Sequence, residues 1–230
     1  MHDDPSILGT KRRLRVFVSL CAITLLISVG VLGFAVTGTL AATDSCTVTI
    51  DGNIQNELND TTGGETICVE SGTYEEELTI QTNDVSLVAV NPDDAPVLDG
   101  SSFGDDSIGI NVSGATGVTV EGFEVRSFGS HGIHVHGGHE FEVIESRLLE
   151  NDDTGILLNG TDAATVRATN ASDNGWDDAV PGIRLYESPN ALIEDNTANS
   201  NGRQGINLWE HSDGATVRNN TETSNDRSGI

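Results

Sequence analysis

A Gly-Ile pair recurs through the second half of this 230-residue chain, at Gly109, Gly132, Gly155, Gly182, Gly205 and Gly229, spaced 23, 23, 27, 23 and 24 residues. Two residues past each Ile stands another apolar residue: Val112, Val135, Leu158, Leu185 and Leu208. A third apolar column follows at Val120, Val143, Val166, Ile193 and Val217, with Val118, Phe141, Ala164, Ala191 and Ala215 two positions before it. Alternation with period two marks short strands rather than helices. A unit of about 23 residues is too small to bury its own apolar face, so each unit must be one coil of a solenoid, covered by its neighbours.

The turns keep the same register. Asn151, Asn174, Asn201 and Asn225 lie eight residues beyond the third apolar column, and only Phe128 interrupts their series. Stacked about 4.8 Å apart, Asn side chains can bond amide to amide as a ladder, and Asn also tolerates left-handed backbone. The Gly of each pair is expected to permit a sharp bend with backbone packed close against the next coil.

The segment before the repeats carries a family likeness. Ile54–Leu58 has the pattern of a short amphipathic capping helix. Gly64–Tyr74, Leu78–Ile80, Val85–Val90 and Val97–Gly100 then supply strands for the first coils. With the Asn-rich, Gly-Ile-punctuated repeats, this stretch resembles the pectin-lyase-like superfamily, including its NosD-type copper-protein maturation factors. The resemblance implies an all-β, right-handed, single-stranded parallel β-helix with an N-terminal capping helix, covering about 180 residues of the chain. It does not fix chemistry, because lyases, hydrolases, epimerases, tailspikes and adhesins share that fold. The alginate-epimerase Asp-Pro-His-Asp motif is absent from the sequence, and so is a polygalacturonase-like set of aspartates in its usual setting. We expect residues 46–108 to form the cap and first coils. Residues 109–230 form the repeated coils, with the C-terminal end incomplete.

Residues 1–15 contain the basic run Lys11–Arg15, residues 16–36 are almost wholly apolar, and 37–45 form a small-residue linker. Twenty-one apolar residues at about 1.5 Å each can span a hydrocarbon core of about 30 Å. The segment is therefore either a signal anchor or a cleaved signal peptide, with 1–15 cytoplasmic and the remainder on the extracellular face or secreted. From Ala42 onward the chain has 34 Asp or Glu, seven Arg and no Lys. Acid spread so widely resembles halophile proteins, in which molar salt shrinks the screening length to about 3 Å. It argues against nucleic acid as a partner and favours cations, or neutral and basic polymers.

Cys46 and Cys68 are the only exported cysteines, in a disulfide-permissive compartment, so we expect them to pair. Strand phase argues against it: Val48 and Ile50 put Cys46 on the apolar phase, whereas Ile67 and Val69 put Cys68 on the opposite one. Five sequons, at Asn59, Asn111, Asn159, Asn170 and Asn219, suit an exported glycoprotein.

Candidate chemistry lies on the outward positions after each Gly-Ile. One column reads Asn111, His134, Leu157, Arg184, Asn207, and the other Ser113, His136, Asn159, Tyr186, Trp209. Arg184, Tyr186, Asn207 and Trp209 together suit a sugar ring, whose C–H face stacks on indole or phenol. Four extra residues in the turn 174–181 bring Asp177 and Asp178 towards Arg184, a set that could hold a cation and serve as acid and base. Against this, an acidic surface insertion is commonplace in such a chain. His131, His134, His136 and His139 fall within nine residues, and His134 with His136 share a face that could hold Cu or Zn. The Asp105-Asp106 and Asp152-Asp153 turns are weaker candidates for Ca²⁺. Three functions remain open: polysaccharide binding with lyase or hydrolase action, NosD-like metal accessory, or a non-catalytic surface or adhesion rod.

Overall fold

The computed structural model describes residues 46–175 and 180–230. The segments 1–15, 16–36 and 37–45 and the candidate acids Asp177 and Asp178 lie outside the described residues. Among the described residues no helix is long and apolar enough to cross a membrane.

The fold is an all-parallel β-solenoid of about seven turns. The coils build three sheets of eight, six and four strands in which every neighbour is parallel, and beyond Arg147–Leu149 the third is continued by isolated bridges at Asn170, Thr197 and Thr221. One coil illustrates the rest: Ile133–His136 joins the six-stranded sheet, Glu142–Ile144 the eight-stranded one and Arg147–Leu149 the four-stranded one. The register reproduces the sequence columns, with Ile133 beside Ile110 and Ile156, and Val143 beside Val120 and Val166. Ile110, Ile133, Ile156, Ile183 and Ile206 are fully buried, as are Val120, Val143, Val166 and Ile193. Parallel neighbours thus place like side chains over like, and one continuous core runs along the axis.

The helix Ile54–Asp60 buries Ile54 and Leu58 against that core. Its N-terminus is held twice: the Asn53 side chain accepts from the Asn56 N–H at 2.7 Å, and the Glu76 carboxylate accepts from the Ile54 and Gln55 N–H groups at 3.0 Å each. These bonds satisfy donors that a short helix otherwise leaves open.

The Asn column is a buried ladder. Asn151 Nδ2 donates to Asn174 Oδ1 at 3.0 Å, Asn174 Nδ2 to Asn201 Oδ1 at 3.3 Å and Asn201 Nδ2 to Asn225 Oδ1 at 3.2 Å. The same oxygens accept the backbone N–H one coil below, and Phe128 starts the series by donating its backbone N–H to Asn151 Oδ1 at 3.2 Å. The Asn residues themselves do not take up left-handed backbone. That conformation falls on the preceding residue of each coil, at Glu150, Asp173, Ser200 and Ser224. Nor do the Gly-Ile glycines make left-handed bends. A Cβ on Gly132 would lie 2.8 Å from Asn151 Nδ2 and 2.8 Å from Gly155 O, so close approach is what requires glycine. A second column passes through Ser146, Thr169, Asn196 and Asn220; the side-chain oxygens of Ser146, Asn196 and Asn220 accept the backbone N–H of Phe123, Thr169 and Asn196 one coil before, while the Thr169 hydroxyl donates to Arg167 O.

Cys46 and Cys68 form a disulfide with Cα atoms 5.6 Å apart. The expected phase conflict does not arise, because the chain bends at Thr47, ahead of the strand Val48–Ile50. Cys68 stands beside Thr49 on the outward phase, and the bend carries Cys46 back over it.

Candidate functional site

The outward face of the six-stranded sheet gathers most of the sequence candidates. Its register sets Asn111, His134, Leu157, Arg184 and Asn207 in one column and Ser113, His136, Asn159, Tyr186 and Trp209 in the other. Neither column contains an acid from Asn111 to Trp209, in a chain with 36 Asp or Glu.

At one end, the Arg184 guanidinium carbon lies 4.6 Å from the centroid of the Trp209 ring. Tyr186 meets the same ring edge-on, with centroids 5.9 Å apart and planes at 72°. Two contacts therefore fix the indole, yet it remains 48% exposed. The charges of Glu187 and Glu210 raise the Tyr186 phenol pKa, with smaller contributions from burial and from hydrogen bonding to the same two carboxylates. Asn207 neighbours Arg184 in the ladder, so its amide borders the same surface. Arg184, Tyr186, Asn207 and Trp209 therefore form one patch, with a planar ring, a cation and amide groups able to donate and accept.

The His cluster occupies the coils below. His131 and His134 rings meet edge to face at 5.2 Å, and His134 and His136 at 6.3 Å. His131 Nδ1 lies 3.6 Å from Asp153 Oδ2, and Asp153 also accepts from Thr154 Oγ1 at 3.0 Å. Burial lowers the His131 pKa; Asp153 opposes the shift and the Arg184 charge adds to it. His134 is pushed down to about 4, chiefly by burial and then by His131 and His136. At neutral pH both rings are uncharged. His139 lies apart in an exposed turn beside Glu140. Among the described residues no three His, Cys, Asp or Glu groups converge as a metal site would require, whether at the His cluster or at the Asp105-Asp106 and Asp152-Asp153 turns.

The sequons divide by environment. Asn59 and Asn219 are exposed, Asn111 and Asn159 stand within the outward columns, and Asn170 accepts from Ser172 Oγ at 2.6 Å. Sequence reasoning missed an ion network on the four-stranded sheet, where Arg126 pairs with Asp99 and Glu124, and Arg147 with Glu124, at 2.9–3.1 Å. Its signal was present as charges of opposite sign one coil apart.

The family model described as "right handed beta helix region" matches residues 76–222. No curated protein matches the chain. Among solved structures, an alginate lyase from Paenibacillus sp. str. FPU-7 aligns with a TM-score of 0.60 at 15% identity, over 76% of this chain and 76% of that one. The pectate lyase Pel9A aligns with a TM-score of 0.53 at 20% identity, over 66% of this chain and 49% of that one. The chain thus spans about half the length of the pectate lyase, and identities this low bear on the fold alone. With the family model matching well over half of its residues, the chain belongs to the right-handed β-helix family.

Proposed function

We propose that this chain is an exported, surface-held β-helix protein that binds polysaccharide on the outward face of its six-stranded sheet, through Arg184, Tyr186, Asn207 and Trp209. The observation that carries the reading is the state of Trp209: fixed by Arg184 at 4.6 Å and Tyr186 at 5.9 Å, yet half exposed at the end of two strand columns that hold no acid. An immobilised aromatic ring loses little entropy when a sugar stacks on it. The fold is also that of two polysaccharide lyases, named for pectate and alginate. Residues 16–36 would supply export, as anchor or cleaved signal, and the acidic surface would keep the protein soluble in high salt.

Binding to immobilised neutral and acidic glycans tests the reading. The parent chain should bind at least one polymer, and Trp209→Ala with Tyr186→Ala should remove that binding without changing the melting temperature. Absence of binding to every polymer would end it. Release of unsaturated oligosaccharide by the parent would add lyase activity. N-terminal sequencing of the mature protein separates anchor from signal peptide.

A further inference from the structure

The six-stranded sheet runs from Leu78–Ile80 at one end to Ile206–Trp209 at the other, so the Trp209 patch and the N-terminal coil stand at opposite ends of the stack. A pull between them acts along the stack, which is the direction in which hydrogen bonds join the parallel coils. Bonds pulled in that direction from the end of an edge strand break one after another instead of sharing the force. Among the described residues, the strand most open to this is Val48–Ile50. It has three residues, it ends the eight-stranded sheet with Thr66–Val69 as its single neighbour, and Val48 and Ile50 are only partly buried. Thr66–Val69 is instead paired on both sides, with Val48–Ile50 and with Ser86–Ala89.

The capping helix Ile54–Asp60 follows the edge strand directly. Besides its buried Ile54 and Leu58, it is held by Gln55, whose side chain accepts from the Thr79 N–H at 2.6 Å and donates to Thr79 O at 3.2 Å. The disulfide bypasses strand and helix together. Cys46 lies ahead of the strand and Cys68 lies within Thr66–Val69, so both elements are on the loop between the two cysteines. Force that reaches Cys46 crosses the sulfur bridge into the doubly paired strand and leaves residues 47–67 unloaded. With the bridge open, the same force runs through Thr47 into Val48–Ile50 and then into the helix. Peeling them away uncovers the backbone edge of Thr66–Val69 and the fully buried Ile67 and Val69, registered beside Val48 and Ile50.

We propose that the Cys46–Cys68 disulfide is a load clamp, which carries tension from the N-terminal side past the edge strand and the capping helix. A thiol reductant then converts the N-terminal coil from force-resistant to force-releasable. In that step a dithiol passes two electrons and two protons to the bridge, becoming a disulfide itself and leaving Cys46 and Cys68 as thiols. The source of the load rests on the surface-held, polymer-binding reading above. The clamp does not, because any pull applied at the N-terminus engages it.

The full chain is stretched between handles at its two termini in optical tweezers, first oxidised and then with dithiothreitol added to the folded protein. The reduced chain should gain one early step, at a force below every step of the oxidised chain. That step should lengthen it by at most about 50 Å, the span of about 15 freed residues at ~3.3–3.6 Å each. The later steps should keep their forces. Cys46→Ser with Cys68→Ser should reproduce the early step without reductant, and should that variant fail to fold, the reduced parent decides. A reduced chain without the early step overturns the clamp, because strand and helix then resist the load unaided. A fall in every unfolding force with no separate early step also overturns it, and leaves the bridge as a general stabiliser. Neither outcome touches surface attachment, which N-terminal sequencing decides separately.

Discussion

Gly155 makes room for Asn174: a Cβ on Gly155 would lie 2.9 Å from Asn174 Nδ2 and 2.9 Å from Gly182 O. The same relation joins Gly132 with Asn151, Gly182 with Asn201 and Gly205 with Asn225. The two most regular columns of the sequence are therefore one device, a buried amide ladder and the vacancy it packs into. Gly155→Ala should destabilise the fold by about 1–3 kcal/mol through overpacking. In a chain of this size, each kcal/mol corresponds to about 2–4 °C in melting temperature. Thermal unfolding checks this, and a melting point equal to the parent's would show that the ladder can shift aside.

Removing the amide is expected to act differently. Asn174 Oδ1 accepts from both the backbone N–H and Nδ2 of Asn151, and its own Nδ2 donates to Leu148 O at 2.9 Å. Asn174→Ala leaves these buried groups unpaired, at about 1–3 kcal/mol for each one orphaned. The double variant with Gly155→Ala should be less destabilised than the sum of the singles, because one of the two clashes is gone. A chemical-denaturation cycle measures the coupling.

Translation explains which features the sequence disclosed. In a solenoid a residue's neighbour is its own counterpart one coil away, so Ile133 beside Ile156 and Asn151 beside Asn174 follow from spacing. The outward columns ending at Trp209 followed for the same reason. The Ser146–Asn220 column was equally present, but its residue changes from Ser146 to Thr169 to Asn196, and a search for identity passes over it. Contacts that depend on rotamers were not legible. Arg184 reaches Trp209 diagonally across two strands, and His131 reaches Asp153 from turn to turn. The Cys46 phase was misleading because strand alternation was extended past a bend.

Acid should loosen the His cluster. The His134 pKa is about 4 in the fold, below its ordinary value of 6.5, and burial also lowers that of His131. Between those values the unfolded chain binds more protons than the folded one, so stability falls as pH drops from about 6.5 towards 4. Above that window both states are neutral and the two rings contribute no pH dependence. His134→Gln should flatten the slope of melting temperature against pH in this window, leaving the background from carboxylates. An unchanged slope would mean that the ring is protonated in place.

Reduction should weaken the N-terminal coils. The Cys46–Cys68 disulfide closes a loop with a sequence separation of 22. Restricting an unfolded loop of that length is worth about 3 kcal/mol in the chain-entropy view. Cys46→Ser with Cys68→Ser should lower stability by about that amount, with hydrogen exchange rising first at Ile67 and Val69, the buried neighbours of Cys68. A parent protein whose melting temperature is the same with and without reductant would show that the loop is held by packing alone.

Glycan attachment at Asn159 and glycan binding beside it exclude one another. Asn159 is registered between His136 and Tyr186, in the column that ends at Trp209, so an attached oligosaccharide would stand on the platform. Its sequon is also closed in the fold. Thr161 is fully buried, its hydroxyl donating to Gly137 O at 3.2 Å and its N–H to Ser188 Oγ at 3.1 Å. Asn59 and Asn219 are exposed and leave the outward face clear. Peptide mapping of protein from a glycosylating host should therefore find sugar at Asn59 and Asn219 and none at Asn159. Should Asn159 be occupied, polymer binding should be absent in that material and return in Asn159→Gln. Binding that persists with Asn159 fully occupied would move the ligand off this face altogether, because the attached sugar and Tyr186 stand on adjacent strands about 4.8 Å apart.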